Sequence, residues 1–425
     1  MILLLAIAAL LLAGGVALSY VIGATAVLSF VAADRTMFLA AIPQKIVAHI
    51  DNFTLMSMPL FILAGEIMNR SGVTQALLRL AMLMFGGLRG GLGHVNVATS
   101  VFFAGISGSA VADAASLSNM LVPQMRKEGY RDTYAAAITA ASSVIGPIIP
   151  PSIVMIFYGA LMGTSVAGLF VAGFLPGLLL AAALMLLNAV YSRREGYASQ
   201  STPMSDKRAV IRDALPALLI PVIIIGGIVF GIVTPTEAAT LSVFCALIVG
   251  RLYGPFDRAG LFAAFRRTAV LSGSIFLILS AVAAFGYLAG LQQLPTRMAE
   301  WLIGLGFDGW TYLLLLNVVF LIAGMFLEVP VALALLVPLL APTAVTMGVD
   351  PVHLGIVICL NLTIGMASPP FGACLIIVST VTGVGYWRLC RAVIPFVLVE
   401  IVILLIVTYV PGISMVLPRL FGYAG

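Results

Sequence analysis

Two short polar motifs stand out in this apolar chain, because each carries oxygen-bearing side chains that could bind an ion. The first is Gly-Ile-Ser-Gly-Ser-Ala-Val-Ala-Asp at 105–113, and the second is Gly-Met-Phe-Leu-Glu-Val-Pro at 324–330. Hydroxyl, carbonyl and carboxylate oxygens are the ligands that small hard cations prefer. The two motifs are therefore candidate cation sites.

A long apolar segment follows each polar motif and is interrupted by prolines. Ser-Ser-Val-Ile-Gly-Pro-Ile-Ile-Pro-Pro-Ser occupies 142–152, and Asn-Leu-Thr-Ile-Gly-Met-Ala-Ser-Pro-Pro-Phe-Gly occupies 361–372. Proline removes a backbone donor and clashes with the preceding turn, so neither motif can stay helical throughout. We expect the carbonyls freed before each break to suit Na⁺, and the half-helix after it to attract an anionic substrate. A plain proline kink is the alternative.

The composition requires a membrane around these motifs. Of the 425 residues 62% are hydrophobic and only 9% are charged, against about 25% charged residues in soluble domains. Apolar runs that could cross roughly 30 Å of hydrocarbon recur along the chain. The net charge of +5 is too diffuse for nucleic-acid binding, and no Gly-Lys-Ser/Thr phosphate loop is present. We therefore predict an all-α polytopic protein of the lipid bilayer that is not an enzyme and does not itself use ATP.

The motif pairs belong to an internal repeat, which appears when the chain is aligned with itself so that Gly105 meets Gly324. In this alignment seven glycine and proline identities fall between Gly105 and Pro176 without a gap, among them Gly146 with Gly365. Five predicted spans separate the copies, and an odd number inverts the second copy in the membrane. Inverted repeats with broken helices are typical of secondary transporters, whose site lies near the midplane between the copies.

Basic residues indicate the orientation of the chain. We interpret 94–125 as a re-entrant hairpin, because neither arm is long enough to cross. With its base in the cytoplasm, fourteen lysines and arginines beyond it lie inside and only Arg297 and Arg419 lie outside. The same count makes 310–345 a second re-entrant hairpin, which enters from the opposite face.

The predicted organisation alternates scaffold helices with two copies of the repeat. The predicted units are scaffold helices and an arm at 1–93, transport-domain repeat 1 at 94–191 (hairpin 94–125, broken helix 133–163), a cytoplasmic loop at 192–213, scaffold helices at 214–309, and transport-domain repeat 2 at 310–425 (hairpin 310–345, broken helix 352–386). For 2–33, one long span and two short spans broken at Gly14-Gly15 are both open.

These patterns predict two Na⁺ sites and an adjoining substrate site, with no organic cofactor. Sodium site 1 is predicted at Ser107, Ser109, Ser142, Ser143 and Gly146, sodium site 2 at Gly324, Glu328, Asn361, Thr363, Gly365 and Ala367, and substrate binding at Asp113, Pro150, Ser152 and Ser368. Local capping of helix ends is the alternative role for the hydroxyls.

Acidic residues at membrane depth are costly and mark functional sites by default. The predicted placement gives four such residues: Glu66, Asp113, Glu328 and Glu400. Asp113 and Glu328 lie at hairpin tips, whereas we assign Glu400 to an interhelical or subunit contact. Glu237 has a structural interpretation, because Thr-Pro-Thr-Glu at 234–237 forms a capping box with proline at the first helical position.

The chain resembles the large membrane subunit of tripartite ATP-independent periplasmic (TRAP) transporters over nearly its whole length. The family run Gly-Gly-Ile-Ser-Gly-Ser-Ala-Val-Ala-Asp-Ala-Ala matches 105–115, with Ala104 in place of the first glycine. Similar family motifs are Met-Pro-Leu-Phe-Ile-Leu-Ala-Gly-Glu at 58–66, Ile-Gly-Pro-Ile-Ile-Pro-Pro-Ser at 145–152, Thr-Pro-Thr-Glu-Ala-Ala at 234–239 and Asp-Pro-Val-His at 350–353. At 327–330 the family commonly has Met-Asp-Pro-Thr, where this chain has Leu-Glu-Val-Pro.

The resemblance implies a mechanism, partners and a location. It implies an elevator of the ion-transporter-superfamily type, in which a transport domain moves against a scaffold and imports an organic acid with Na⁺. The expected acid is a sialic acid or a C4-dicarboxylate. The expected partners are a small four-helix membrane subunit and a periplasmic substrate-binding protein, and the expected location is the bacterial inner membrane.

Two other functions stay open on the sequence alone. An intramembrane serine protease could use Ser107, which lies in a Gly-x-Ser-Gly motif, but it would need a histidine base at the same depth. His94 lies near the hairpin base, and His49 and His353 are predicted in loops. An ion channel is the second alternative, although a channel would not need two inverted broken-helix sites.

Overall fold

A computed structural model describes residues 2–197, 199, 207–254 and 257–423, and this part of the chain is almost entirely helical. Its β-pairing is limited to one isolated bridge between Arg89 and Ser199. Seven of the described helices are long and apolar enough to cross a membrane, and a pair bent by 59° over 36–69 raises the number to eight. The predicted all-α polytopic fold is confirmed.

The first region of the chain contains five helices. Two short helices part at Gly14 and Gly15, so of the two alternatives for 2–33 the structure has the broken one. The helices are α1 (Ile2–Ala13), α2 (Leu18–Ala32), α3 (Ile42–Ile50), α4 (Ser57–Asn69) and α5 (Val73–Phe85), with 3-10 turns at Thr36–Ala41 and Phe53–Met56.

Six helices form the segment predicted as the first repeat. They are α6 (Gly91–Ser107), α7 (Ala110–Met120), α8 (Val122–Lys127), α9 (Asp132–Ser142), α10 (Ile153–Met162) and α11 (Val166–Glu195). The turn between α6 and α7 has Gly108 at φ +56°, a conformation that glycine adopts without strain. Between α9 and α10 the helix gives way to a 3-10 turn at Ser143–Ile145 and then to irregular backbone.

Four helices follow the loop after α11. They are α12 (Lys207–Val229), α13 (Pro235–Tyr253), α14 (Arg258–Leu291) and α15 (Leu294–Gly304). The capping box predicted for α13 is confirmed. The Thr234 amide donates to Glu237 Oε2 at 2.8 Å, and the Glu237 amide donates to Thr234 Oγ1 at 3.3 Å. Glu237 therefore fixes the start of a helix.

The last segment contains six helices. They are α16 (Gly309–Phe326), α17 (Val329–Thr346), α18 (Pro351–Met366), α19 (Ala373–Thr382), α20 (Tyr386–Tyr409) and α21 (Gly412–Leu420). Backbone without helical structure separates α18 from α19, at the position of the second Pro-Pro pair. With 18 residues each, α16 and α17 could each cross a membrane by length and composition. The re-entrant placement of 310–345 stays a prediction.

The core lies around α9 and α18. Residues 134–142 of α9 and 352–366 of α18 are buried without exception. A helix that is buried on every side belongs at the centre of a bundle. In contrast, α13 and α14 expose large apolar side chains such as Phe244 and Phe262, as expected for helices that face lipid. The two interrupted helices thus begin in the best-packed part of the molecule.

The helices outside the two repeats pack on one another and on the repeats; among the latter contacts are α5 on α6 and both α14 and α15 on α17. α4 packs along α13, α2 and α3 pack on α14, and α5 packs on α12. An ion pair reinforces this group, because Glu66 on α4 lies 3.0 Å from Arg267 on α14 and 3.6 Å from Arg70. Glu66 is 8% exposed, and these two arginines compensate its charge.

The two repeats also pack on each other. α7 packs against α19, and α9 packs along α20. At one end of these helices Arg126 joins the repeats: its Nη2 donates to the Thr382 carbonyl at 2.8 Å, and its Nε donates to Asp132 at 3.0 Å. Contacts of both kinds, apolar and polar, therefore tie hairpin 94–125 to the second repeat.

Candidate functional site

The first hairpin ends in a polar tip, which we call tip 1 (residues 107–109). Ser107 closes α6, and Ser109 has extended backbone angles and caps α7, accepting from the Ala112 amide at 3.4 Å. The Ser107 hydroxyl donates a hydrogen bond to Asp113 Oδ1, and the Ser109 amide donates to Ser107 Oγ at 3.3 Å. Tip 1 thus gathers two hydroxyls and one carboxyl in a single short turn.

The first interrupted helix, break 1 (residues 143–152), is closed by its own side chains. The Ser152 hydroxyl donates to the Pro147 carbonyl, and Ser152 Oγ accepts from the Met155 amide at 3.3 Å. The Ser143 hydroxyl donates to the Ala140 carbonyl at 2.7 Å. The Pro150-Pro151 bond is cis. Both serines are fully buried, so these bonds replace the water that unwound backbone would otherwise need.

Tip 1 and break 1 touch at two glycines. A Cβ atom on Gly146 would lie 2.3 Å from Asp113 Oδ2, and one on Gly108 would lie 3.0 Å from the Pro151 carbonyl oxygen. Asp113 is 1% exposed, and its Oδ2 has no hydrogen-bond partner in the described part of the chain. The fold therefore places a buried carboxyl oxygen directly against the Gly146 backbone.

Asn96 links the hairpin to the helix that precedes break 1, and the sequence analysis missed it. Its Nδ2 donates to Thr139 Oγ1 at 2.7 Å, and its Oδ1 accepts from the Ser142 hydroxyl at 2.8 Å. All three side chains are fully buried. Ser142, predicted as an ion ligand, uses its hydroxyl in this bond.

The second repeat has a similar link between its interrupted helix and its hairpin. Asn361 Nδ2 on α18 donates to Asn317 Oδ1 on α16 at 2.8 Å. In the repeat alignment Asn361 matches Ser142, whereas Asn96 matches Leu315, close to Asn317. An asparagine on the first arm of each hairpin therefore holds the matching residue of the interrupted helix. A lone asparagine in each apolar arm is the sequence signal, and the small shift in register hides it.

The remaining residues predicted for sodium site 2 lie around the end of α18. Gly324 and Gly365 meet back to back, because a Cβ on Gly365 would lie 2.6 Å from the Gly324 Cα. Thr363 donates to the carbonyls of Cys359 and Leu360, both at 2.9 Å, and Ala367 follows the last helical residue. The Asn361 Oδ1 atom is buried and has no partner among the described residues.

Glu328 lies apart from this group. It precedes α17 at the second tip, tip 2 (residues 327–328), and is exposed. Its carboxylate forms no hydrogen bond or ion pair within the described ranges. The second interruption, break 2 (residues 367–372), contacts the hairpin through the Gly372 amide, which donates to the Met325 carbonyl at 3.1 Å. The structure brings Gly324, Asn361 and Gly365 together and leaves Glu328 outside.

Three of the four residues predicted to bind substrate lie at the breaks. Ser152 caps α10, and Ser368 donates to the Ile364 carbonyl at 2.8 Å. Both are fully buried. Pro150 belongs to break 1, and Asp113 faces Gly146 as described above. Each break therefore combines a buried serine with the start of a short helix.

Glu400, on α20, differs from the other acids at membrane depth. It is fully buried, and neither carboxyl oxygen has a hydrogen-bond partner in the described part of the chain. The side chain is enclosed within this chain, which favours the interhelical alternative of the predicted interhelical or subunit contact; the role of Glu400 stays a prediction.

The histidines give the protease alternative no support. Ser107 bonds Asp113, and His94 lies near the opposite end of α6, roughly 20 Å away along the helix axis at 1.5 Å per residue. Neither of the other histidines lies in a loop as predicted. His49 lies in the last turn of α3, and His353 lies on α18, because Asp350 caps that helix and Pro351 starts it. His353 is 2% exposed and bonds Ser414 at 2.7 Å and the Thr408 carbonyl at 3.2 Å.

The fold is similar to that of a solved membrane protein. It matches the crystal structure of the YdaH transporter of Alcanivorax borkumensis with a TM-score of 0.66, over 92% of this chain and 90% of that chain, at 15% sequence identity. At this identity the similarity concerns the fold alone.

The family follows from the sequence comparisons. Residues 5–413 match the family model of the tripartite ATP-independent periplasmic transporter, DctM component, and the chain belongs to this family. It is 38% identical to the sialic acid TRAP transporter large permease SiaM of Vibrio cholerae, over 89% of this chain and 90% of the relative. It is 36% identical to the C4-dicarboxylate large permease DctM of Pseudomonas aeruginosa, over 88% of each. The chain is thus a multi-pass TRAP permease of the inner membrane.

The two asparagine links generate a prediction about stability. Asn96→Ala and Asn317→Ala should each lower the melting temperature of the purified protein, because each leaves buried polar partners unpaired, at about 1–3 kcal/mol per site. Thermal unfolding followed by tryptophan fluorescence in detergent measures this. Asn119→Ala is the matched control, since Asn119 is exposed and bonds only the Ala115 carbonyl, at 3.0 Å. Equal melting of all three variants would contradict the assigned role.

Proposed function

We propose that this permease imports an organic acid together with Na⁺, using an elevator movement. The acid arrives on a periplasmic substrate-binding protein, and a small four-helix membrane subunit completes the transporter. The observation that carries the proposal is tip 1 against break 1, where Ser107, Asp113 and the Gly146 backbone converge.

Tip 1 supports the first Na⁺ site through its chemistry. Its candidate ion ligands are hydroxyl, carboxyl and carbonyl oxygens. Asp113 Oδ2 has no hydrogen-bond partner in the described part of the chain. A cation bound there would compensate a carboxylate that is otherwise expensive to bury. In this proposal Ser107 and Asp113 bind Na⁺ directly, and Ser109, Ser142 and Ser143 hold the tip and the break in place.

The second Na⁺ site rests on fewer contacts. Gly324 and Gly365 let two backbones approach closely, and Asn361 Oδ1 offers a buried acceptor without a described partner. Thr363 and Ala367 flank these atoms on α18 and just after it. Glu328 completes this site only if tip 2 folds towards α18 when the ion binds.

The substrate class follows from the relatives and from the breaks. The curated relatives are named for sialic acid and for C4-dicarboxylates, and both compounds carry carboxylate groups. The first turns of α10 and α19 begin at the two breaks, and a helix N-terminus attracts an anion. We propose that Pro150, Ser152 and Ser368 form the walls of a carboxylate site between the repeats.

The packing supports one moving unit. The two repeats are joined by α7 on α19, α9 on α20 and the Arg126 bridge. Their contacts with the other helices include those of α6 with α4, α5 and α12, and those of α17 with α14 and α15. Two of these contacts use glycine: a Cβ on Gly65 would lie 2.9 Å from the Ile106 carbonyl, and one on Gly105 would lie 2.6 Å from Pro221. Because glycine has no side chain, the facing surfaces do not interlock at these contacts and could slide past each other. The scaffold would comprise α1–α5 and α12–α15.

Uptake into liposomes tests the proposed activity. The chain is reconstituted with its small subunit and the binding protein, and labelled sialic acid and labelled succinate are supplied separately. We expect uptake of one of these acids to require a Na⁺ gradient and to proceed without ATP. Equal uptake when K⁺ replaces Na⁺ on both sides would refute Na⁺ coupling and favour a channel.

The ion ligands are tested one tip at a time. Ser107→Ala and Glu328→Ala should each raise the Na⁺ concentration for half-maximal uptake at least several-fold, because each removes an oxygen ligand, while the complex still assembles. Ser274→Ala and Glu300→Ala are the matched controls, since both residues are exposed on other helices. A normal Na⁺ response of Glu328→Ala alone would remove tip 2 from the site and leave tip 1 intact.

Crosslinking tests the elevator. Phe230 after α12 and Phe421 after α21 have ring centroids 6.3 Å apart and would lie on opposite sides of the moving boundary. In a variant without native cysteines, joining Phe230→Cys to Phe421→Cys with a short reversible crosslinker should stop uptake until the link is cleaved. The control pair Trp310→Cys and Tyr409→Cys, with rings 5.8 Å apart inside the transport domain, should be tolerated. Full uptake with a complete 230–421 link would refute the elevator.

A further inference from the structure

The end of the chain reaches from the second repeat to the scaffold. The Tyr423 phenol donates to two carbonyls at the end of α12, those of Ile228 at 3.0 Å and Val229 at 3.1 Å. The last carbonyls of a helix have no partner within the helix and accept bonds readily from outside. The single Tyr423 O–H is shared between these two carbonyls, and the Ile228 carbonyl also accepts from the Gly231 amide at 3.1 Å. The phenol thus adds one bifurcated hydrogen bond to the end of α12.

A ring contact lies beside these hydrogen bonds. Phe421 meets Phe230 in an edge-to-face arrangement, with centroids 6.3 Å apart and planes at 83°. Phe230 is 74% exposed, so this ring is otherwise largely free of neighbours. Edge-to-face pairs of aromatic rings attract each other weakly. The contact between the two rings is therefore weak, and a weak contact can open when the domain moves.

Residues 421–423, which carry the Tyr423 phenol, are held on the transport domain. The Tyr423 amide donates to the Pro418 carbonyl at 2.8 Å, which folds the segment back on α21, and α21 packs along α11. The Tyr423 side chain also approaches Gly168 on α11. When the transport domain moves, residues 421–423 move with it, and the α12 carbonyls stay behind.

The segment can leave α12 without disturbing the core. Tyr423 borders a cavity of about 580 Å³, which is also lined by Thr164 in the loop after α10 and by Thr346 at the end of α17. Hydrogen bonds lose most of their strength beyond about 3.5 Å. A movement of a few ångströms along the scaffold would therefore break both bonds while leaving the bundle packed.

We propose that Phe421 and Tyr423 form a latch that holds the transport domain in the facing state described here. The latch rests on the elevator part of the proposed function. The latch shifts the equilibrium between the two facing states towards the latched one. Its two hydrogen bonds and its ring contact form only when the C-terminal end of α12 lies beside residues 421–423.

The test measures that balance directly. Spin labels are attached at Lys127→Cys on α8 and Leu252→Cys on α13, both exposed and distant in sequence from the latch, and pulsed electron resonance gives the distance distribution in lipid nanodiscs without added substrate. Tyr423→Phe keeps the ring and removes both hydrogen bonds. We expect it to lower the ratio of the latched to the other state roughly three- to tenfold.

The control is a second phenol within the transport domain. Tyr158 on α10 donates to the Pro351 carbonyl at 2.9 Å, and both residues move together. Tyr158→Phe should leave the distance distribution unchanged. Equal shifts in the two variants would overturn the latch, because they would indicate a general loss of stability.

Two further outcomes separate the latch from the elevator. If the wild type shows two distances and Tyr423→Phe leaves their ratio unchanged, the latch is refuted while the elevator stands. If every variant shows one and the same distance and the 230–421 crosslink leaves uptake intact, the elevator itself fails and the latch fails with it. Tyr423→Ala, which also removes the ring, should shift the ratio at least as far as Tyr423→Phe.

Discussion

Unpaired backbone groups cannot be left in hydrocarbon, and this constraint governs both interrupted helices. At break 1 one buried hydroxyl serves both sides, since Ser152 donates to the Pro147 carbonyl and accepts from the Met155 amide. At break 2 the Tyr386 phenol donates to the carbonyls of Pro370 and Phe371, at 2.7 and 2.6 Å. The surrounding helices are arranged so that these partners reach the exposed backbone.

The two repeats meet this constraint in chemically different ways. Break 1 is buried and closed by its own serine, and tip 1 lies against it with polar side chains. Break 2 is open at Phe371, which is 54% exposed, and tip 2 is equally open at Glu328. The chain departs from the family pattern at 327–330, in this open tip. Within this segment Glu328 is exposed, whereas Val329 is buried, so the acidic side chain itself makes no buried contact within the described chain.

The sequence predicted those features that depend on local backbone chemistry. Proline pairs located both breaks, Gly108 fitted the hairpin turn, and Thr234 with Glu237 gave the start of α13. The linking role of Asn96 and Asn317 could not be predicted in this way, because it depends on hydrogen-bond partners that lie on another helix. His353 was predicted in a loop, whereas Asp350 accepts from two amides at the start of α18, at 2.8 and 3.1 Å, and His353 lies in the first turn of that helix.

In the proposed elevator, the moving domain needs a boundary that slides and a contact that fixes its end points, and these two needs conflict within one surface. Directional hydrogen bonds along the boundary would have to break at every step, whereas van der Waals contacts between small residues change little during sliding. Gly65 and Gly105 provide contacts of the second kind beside α6. Tyr423 provides directional bonds at the end of the boundary. Because the two kinds of contact lie in different places, the strength of the latch could change while the sliding contacts stay the same.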